Sequence, residues 1–350
     1  LEKYVNPLNQ LKEIAWRKNL LLWAYILVVC LLLRSVFFYQ NLHSPLNLAK
    51  TDLEPVFITV QNGQSFSQIS KSLLDQGILK SDFDFKIFAH ISGQASQIKV
   101  GEYELEEGMS SLNLLDKLVA GDVFYQRIRI IEGWTLMQAL QVIQSHPAII
   151  TSIDINNAKE IQNIFSTNFY PEGMLFPETY NFTSGATDRD IIERASSLLQ
   201  DVLDEEWQDR PVGLPFKNSY EALILASIIE KETAREDERE LIAGVFTNRL
   251  QNNMRLQTDP TVIYGLGNRF NGDLTRANLQ EMTVYNTYRI NGLPPTPIAL
   301  AGRKAIRAAL NPDLNKYIYF VARGDGSHYF SSTLEEHNAA VVKFQLGNEN

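Results

Sequence analysis

Apolar positions follow three regimes along the chain. Leu20 to Tyr39, LLLWAYILVVCLLLRSVFFY, is almost unbroken. At 1.5 Å per residue it reaches roughly 30 Å, the thickness of one hydrocarbon core. From Val56 short strand-like and helix-spaced runs alternate. Phe57–Val60 reads as a strand and Asn62-Gly63 as a turn. Phe66–Asp75 is a helix with Ile69, Leu73 and Leu74 on one side, and Phe83–Ile91 a second. Val100–Leu105 alternates as a strand, and Ser110–Ala120 is a helix with a serine cap and a stop before Gly121.

The third regime starts at Phe124. It predicts a strand over 124–131, a helix over 135–145, helical structure from Asn157, and a dense loop from Tyr170 to Tyr180. A helix spans Asp188–Glu205. A longer one runs from Tyr220 to Asn252, with the run Ala222–Ile229 relieved only by Ser227. A Pro- and Gly-rich section, Gln257–Pro297, is followed by a helix to Leu310, strands at 316–322 and 329–330, and a helix over 333–345. The fold class is α+β: residues 1–19 lead in, 20–39 cross a membrane, 40–55 link, 56–123 form a small α/β subdomain, and 124–346 form a larger mixed domain.

Flanking charge orients the apolar span. Lys3, Lys12, Arg17 and Lys18 precede it, while only Arg34 at its margin and Lys50 follow closely. The positive-inside rule puts the N-terminus in the cytoplasm and everything after Tyr39 outside. Bulky Phe37-Phe38-Tyr39 argue against signal cleavage, so the span reads as an uncleaved single-pass anchor in which Arg34 snorkels to the interface. The net charge of −9 with mixed signs argues against nucleic acid as a partner. The lone Cys30 excludes an intrachain disulfide or thiolate cluster, and His328 and His337 lack zinc-type spacing. No cofactor or metal is expected.

Chemistry concentrates after the apolar run. Glu230 stands at the edge of a buried helical segment, where poor solvation favours the protonated acid. Glu232 points nearly opposite and reads as structural. Gln257, Thr258, Asp259 and Tyr264, with Asn286 and Tyr288, gather the amide, hydroxyl and phenol groups that bind sugars, and Glu172 is placed to line the same cleft. Those polar groups also suit a loop that satisfies its own backbone.

Longer motifs sharpen this reading. Leu225-Ala-Ser-Ile-Ile-Glu-Lys-Glu-Thr233, Val245-Phe-Thr-Asn-Arg-Leu250, Leu256-Gln-Thr-Asp-Pro-Thr-Val-Ile-Tyr-Gly265, Tyr285-Asn-Thr-Tyr288 and Gly292-Leu-Pro-Pro295 together resemble the endolytic murein transglycosylases, the YceG-like family. The resemblance covers about residues 56–345. It implies a LysM-like subdomain, a bacterial inner-membrane location, peptidoglycan glycan strands as substrate and 1,6-anhydro-N-acetylmuramic acid ends as product. It puts the catalytic glutamate on Glu230 and, through location, implies wall-synthesis proteins such as penicillin-binding proteins as partners. A hydrolytic muramidase and a non-catalytic wall-binding adaptor are the rival readings.

Overall fold

The computed structural model describes residues 7–48, 55–167, 170–313 and 315–346, with side chains from residue 16 onward. Lys3, Lys50 and linker residues 49–54 lie outside the described residues, as does the Lys12 side chain. The chain divides into two compact units between Tyr125 and Gln126.

The first unit opens with α1 (Pro7–His43). Within its segment Trp16–His43 an 18-residue window has a mean hydropathy of 2.4, and the segment is long and apolar enough to cross a membrane. The helix then runs past the expected span, and its C-terminal end packs onto the rest of the unit. Leu42 is buried, and the Arg34 guanidinium pairs with the Asp84 carboxylate, whose side chain is 2% exposed. Asn41 Nδ2 donates to the other Asp84 oxygen at 2.6 Å. Arg34 thus has a protein partner at the end of the apolar stretch while its side chain stays partly exposed. Residues 44–48 are not a free tether. Leu46 N–H donates to Met109 O at 2.7 Å and Asn47 N–H to Ile78 O at 3.0 Å.

The remainder of this unit is β1 (Val56–Val60), α2 (Phe66–Asp75), α3 (Asp82–Ile91), β2 (Gly101–Leu105) and α4 (Ser111–Ala120). β1 and β2 pair antiparallel with Ile58 opposite Tyr103. Both fall on the face that meets Phe66, Leu73, Phe85, Leu114 and Leu118. The expected serine cap of α4 forms, with Ser110 and Asn113 reciprocally bonded.

The second unit contains β3 (Gln126–Arg129), α5 (Leu136–Ser145), α6 (Ala158–Ile164), β4 (Thr179–Phe182), α7 (Asp188–Gln208), α8 (Ser219–Glu232), α9 (Arg239–Gln251), α10 (Asp259–Leu266), α11 (Arg276–Gln280), α12 (Arg303–Leu310), β5 (Tyr319–Ala322), β6 (His328–Ser331) and α13 (Leu334–Val341). β3 pairs antiparallel with β4, and β5 with β6. One core joins β3, β4, α5 and the start of α7 through Ile128, Leu140, Tyr180 and Ile191. The other surrounds α8 with α7, α9 and α12 through Leu203, Leu223, Ile228, Phe246 and Ile306. The helix expected over Tyr220–Asn252 is thus two helices. The section expected to be loop carries α10, which has proline in its first turn, where the missing N–H costs nothing.

Candidate active site

α8 forms because Asn218 caps it, accepting from Glu221 N–H at 3.0 Å, and because Ala222–Ile229 are all buried. Ser227 keeps its place in that run by bonding twice. Its hydroxyl donates to Ile224 O at 2.7 Å and accepts from Ile298 N–H at 2.9 Å, pinning the proline-rich loop to the helix.

The helix stops at Thr233, which is extended (φ −145°, ψ 136°). Thr233 Oγ1 accepts from Arg235 N–H at 3.0 Å, a local bond that competes with the helix. In an unbroken helix residue 239 would lie about 13 Å further along the axis than residue 230. The break folds it back instead, and Arg239 Nη2 comes to 3.2 Å from Glu230 Oε1.

Glu230 and Glu232 leave the last turn of α8 roughly 200° apart, on opposite sides. Glu230 is pinned. Its second oxygen accepts from Gly302 N–H at 3.0 Å, and its side chain and that of Arg239 are 6% and 8% exposed. Glu132 packs so closely on Gly302 that a Cβ there would collide with its carboxylate. Burial raises the Glu230 pKa, the Gly302 amide and Arg239 oppose the rise, and the Glu132 charge adds to it.

Glu232 has no ion-pair partner among the described residues. The Thr258 hydroxyl donates to its Oε1, and Thr258 is itself held through its N–H, which donates to Thr287 Oγ1 at 3.0 Å. Enclosure of the carboxyl pushes its pKa up to about 7; the Thr258 bond opposes this, the charge of Asp259 reinforces it, and His328 and Arg249 oppose it. At neutral pH about half of such groups hold their proton.

A cleft of about 500 Å³ opens on this side, and Gln257, Thr258, Asp259 and Tyr288 line it with Glu232. Gln257 is exposed, in a left-handed conformation (φ 52°). The exposed Asp259 accepts from Tyr288 OH at 2.7 Å. Burial, then Asp259, raises the Tyr288 pKa, so its phenol stays a donor.

Glu172, Tyr264 and Asn286, expected to face a sugar, are spent inside the domain instead. Glu172 is 2% exposed and accepts from Leu136 N–H at 2.6 Å, Gly173 N–H at 3.1 Å and Tyr264 OH at 3.1 Å. Asn286 is 1% exposed, and its amide donates to the carbonyls of Asn278, Leu279 and Glu281. A buried polar group without such partners would cost about 1–3 kcal/mol, which explains these residue types equally well.

Other groups carried no signal in the sequence. Arg239 reaches Glu230 only because the helix breaks. Arg249 lines the Glu232 cleft and donates to Ile318 O at 2.6 Å and Leu256 O at 2.7 Å. His328 Nδ1 sits 2.7 Å from Glu238 Oε2. Among the described residues no group of three His, Cys, Asp or Glu side chains is placed to hold a metal.

The model of the YceG-like family matches residues 58–343. The chain belongs to the YceG-like family. An endolytic murein transglycosylase of Bacillus subtilis is 34% identical over 337 residues, covering 90% of this chain and 91% of its own. A protein of the same name from Streptococcus pneumoniae (strain D39) is 25% identical; the match covers 91% of this YceG-like chain but 64% of the pneumococcal one, a little under two thirds. A crystal structure of a yceG-like protein from Listeria monocytogenes superposes with a TM-score of 0.51 at 31% identity, covering 82% of this chain and 98% of that one.

Proposed function

We propose that this chain is an endolytic murein transglycosylase whose general acid is Glu230. The observation that carries the assignment is the place of the Glu230 carboxyl, which follows the buried run of α8 and lines a depression of about 720 Å³ together with Glu132, Lys231 and Arg239. Burial favours its protonated form, while the Gly302 amide and Arg239 moderate that shift and fix its position. Glu232, beside Thr258 on the opposite side of the helix, is the structural member of the pair.

The reaction balances with one carboxyl group. Glu230 protonates the oxygen that joins N-acetylmuramic acid to N-acetylglucosamine, and the bond from that oxygen to the anomeric carbon breaks. The muramyl 6-hydroxyl closes onto the anomeric carbon, and its proton passes to the Glu230 carboxylate. The product is a 1,6-anhydro end, with no water consumed. Intramolecular closure supplies the entropic advantage that a hydrolase obtains from a second carboxyl and a positioned nucleophile. The Gly302 amide and Arg239 orient the acid.

A hydrolytic muramidase is the second reading, and Glu132 favours it as a second carboxyl bordering the same depression. Product masses separate the two, since hydrolysis adds one water per cut. The purified protein and its Glu230→Gln and Glu232→Gln variants, given uncross-linked glycan strands, test the assignment. Loss of anhydro ends with Glu230→Gln, in a protein that remains folded, is the expected result. Loss with Glu232→Gln alone overturns it.

The anchor reading becomes more specific. The bilayer-crossing stretch begins after the cations Arg17 and Lys18 and ends near Arg34, which Asp84 holds, with the N-terminus in the cytoplasm and both units outside the inner membrane. The strand–helix–helix–strand order of the first unit supports a LysM-like, wall-binding role. Location alone supports penicillin-binding proteins as neighbours.

A further inference from the structure

Where α1 leaves its apolar stretch, three aromatic rings stand open to the outside. Phe37 and Tyr39 of α1 and Phe83 of α3 are each more than half exposed. A groove of about 690 Å³ opens beside them, between the end of α1 and the residues that lead into α3, and Phe37, Tyr39, His43, Lys80 and Ser81 border it. We propose that the outer leaflet of the bilayer covers this patch, with the Phe83 ring at the margin of the acyl chains and the phosphate of an anionic phospholipid in the groove against Lys80. The inference rests on α1 crossing the membrane.

Depth along α1 selects the lipid. The Arg34 guanidinium pairs with Asp84 of α3, and its Cζ lies 5.9 Å from the centre of the Phe38 ring and 5.6 Å from that of Phe83. Phe83 is thereby held at the level of Arg34, where the hydrocarbon ends. Phe37 and Asn41 lie beyond Arg34 by about 5 and 10 Å of helix. A headgroup layer adds roughly 5–8 Å to each side of the hydrocarbon core. The groove, which Asn41 also borders, therefore opens among headgroups rather than into free solvent. An exposed phenyl ring at that level leaves water by meeting acyl chains.

Charge agrees with depth. Of the nearby carboxylates, Asp84 is paired with Arg34 and Asp82 with Lys86. The His43 ring is turned to its own helix, with Nδ1 2.9 Å from Tyr39 O. Lys80 is exposed and has no ion pair among the described residues, which leaves the groove an uncompensated ammonium. A lysine close to a lipid surface attracts anionic headgroups. A second copy of this chain would have to displace lipid from a surface that continues directly from the bilayer-crossing helix.

The test uses the full chain in vesicles of phosphatidylglycerol and phosphatidylethanolamine. Cys30→Ser removes the native thiol, and Phe83→Cys carries a small fluorophore. Lipids with a nitroxide close to the headgroup should quench most of its emission, and aqueous iodide little of it. Quenching by iodide and not by lipid overturns the inference, as does quenching by neither, which would mean that protein covers the site. A second variant leaves the ring in place. In the detergent-solubilised chain, Lys80→Gln should lower the ratio of phosphatidylglycerol to phosphatidylcholine retained, read by native mass spectrometry, about five-fold. An unchanged ratio overturns the phosphate site. A label at Leu27→Cys, inside the apolar stretch, should be quenched by lipids with a nitroxide deep in the chain. If it is not, the anchor reading fails first and takes this one with it.

Discussion

Glu230 and Glu232 are separated by one residue and meet opposite chemical worlds. Glu230 faces a guanidinium and a backbone amide, and both of its oxygens are engaged. Glu232 faces one hydroxyl, and the charge of Asp259 adds to the rise in its pKa. Both carboxyls are desolvated, so burial alone does not distinguish them. The presence of a cation does.

The largest way to break this contrast is Glu230→Gln. If Glu230 is the general acid, kcat should fall about 10³-fold, and Arg239, left buried without its counter-charge, should cost the fold about 3 kcal/mol, read from product formation and calorimetry. Glu232→Gln should instead leave the melting temperature intact or raised, and kcat should fall less than about ten-fold. Swapped outcomes would exchange the two roles.

The pH dependence sharpens the contrast. Glu232 moves from an ordinary value of 4.5 to about 7 in the fold, so between these values the folded chain holds a proton that the unfolded chain has released. Stability from this group is complete below about 4.5 and is lost as pH rises through about 7, a loss on the order of 3 kcal/mol. Glu232→Gln should flatten that slope in urea melts taken from pH 5 to 8. Activity of the parent should decline on the alkaline side as Glu230, held above its ordinary value by burial, ionises. The smallest effect is expected from Asp259→Asn. It removes a charge that raises the Glu232 pKa, so the midpoint of the stability loss should move down by roughly a few tenths of a pH unit. A midpoint that stays fixed would mean that Asp259 does not sense Glu232.

Much of the fold was legible. Period and capping residues placed α2, α4, α5 and α7 within a few residues of their observed ends, and the 100° step correctly set the two glutamates on opposite sides of one helix. The break after Glu232 was not legible. Thr233–Asp237 contains no proline or glycine, and the Thr233 hydroxyl competes with the helix only in the finished geometry. β4 escaped notice because its partner, β3, lies far away in sequence. The site was legible in part. Gln257, Thr258, Asp259 and Tyr288 do gather in one cleft, but around Glu232. Asn286 and Glu172 looked like sugar ligands because a buried turn needs the same amides and carboxylates that a saccharide does.

The clasp of Arg34 and Asn41 on Asp84 has a mechanical consequence. It converts the end of the anchor from a rope into a spar. A bilayer thinner or thicker than the apolar stretch changes the tilt of such a helix. Here the lean would be transmitted to the first unit as rotation, making its attitude a readout of lipid thickness, which Asp84→Asn should uncouple.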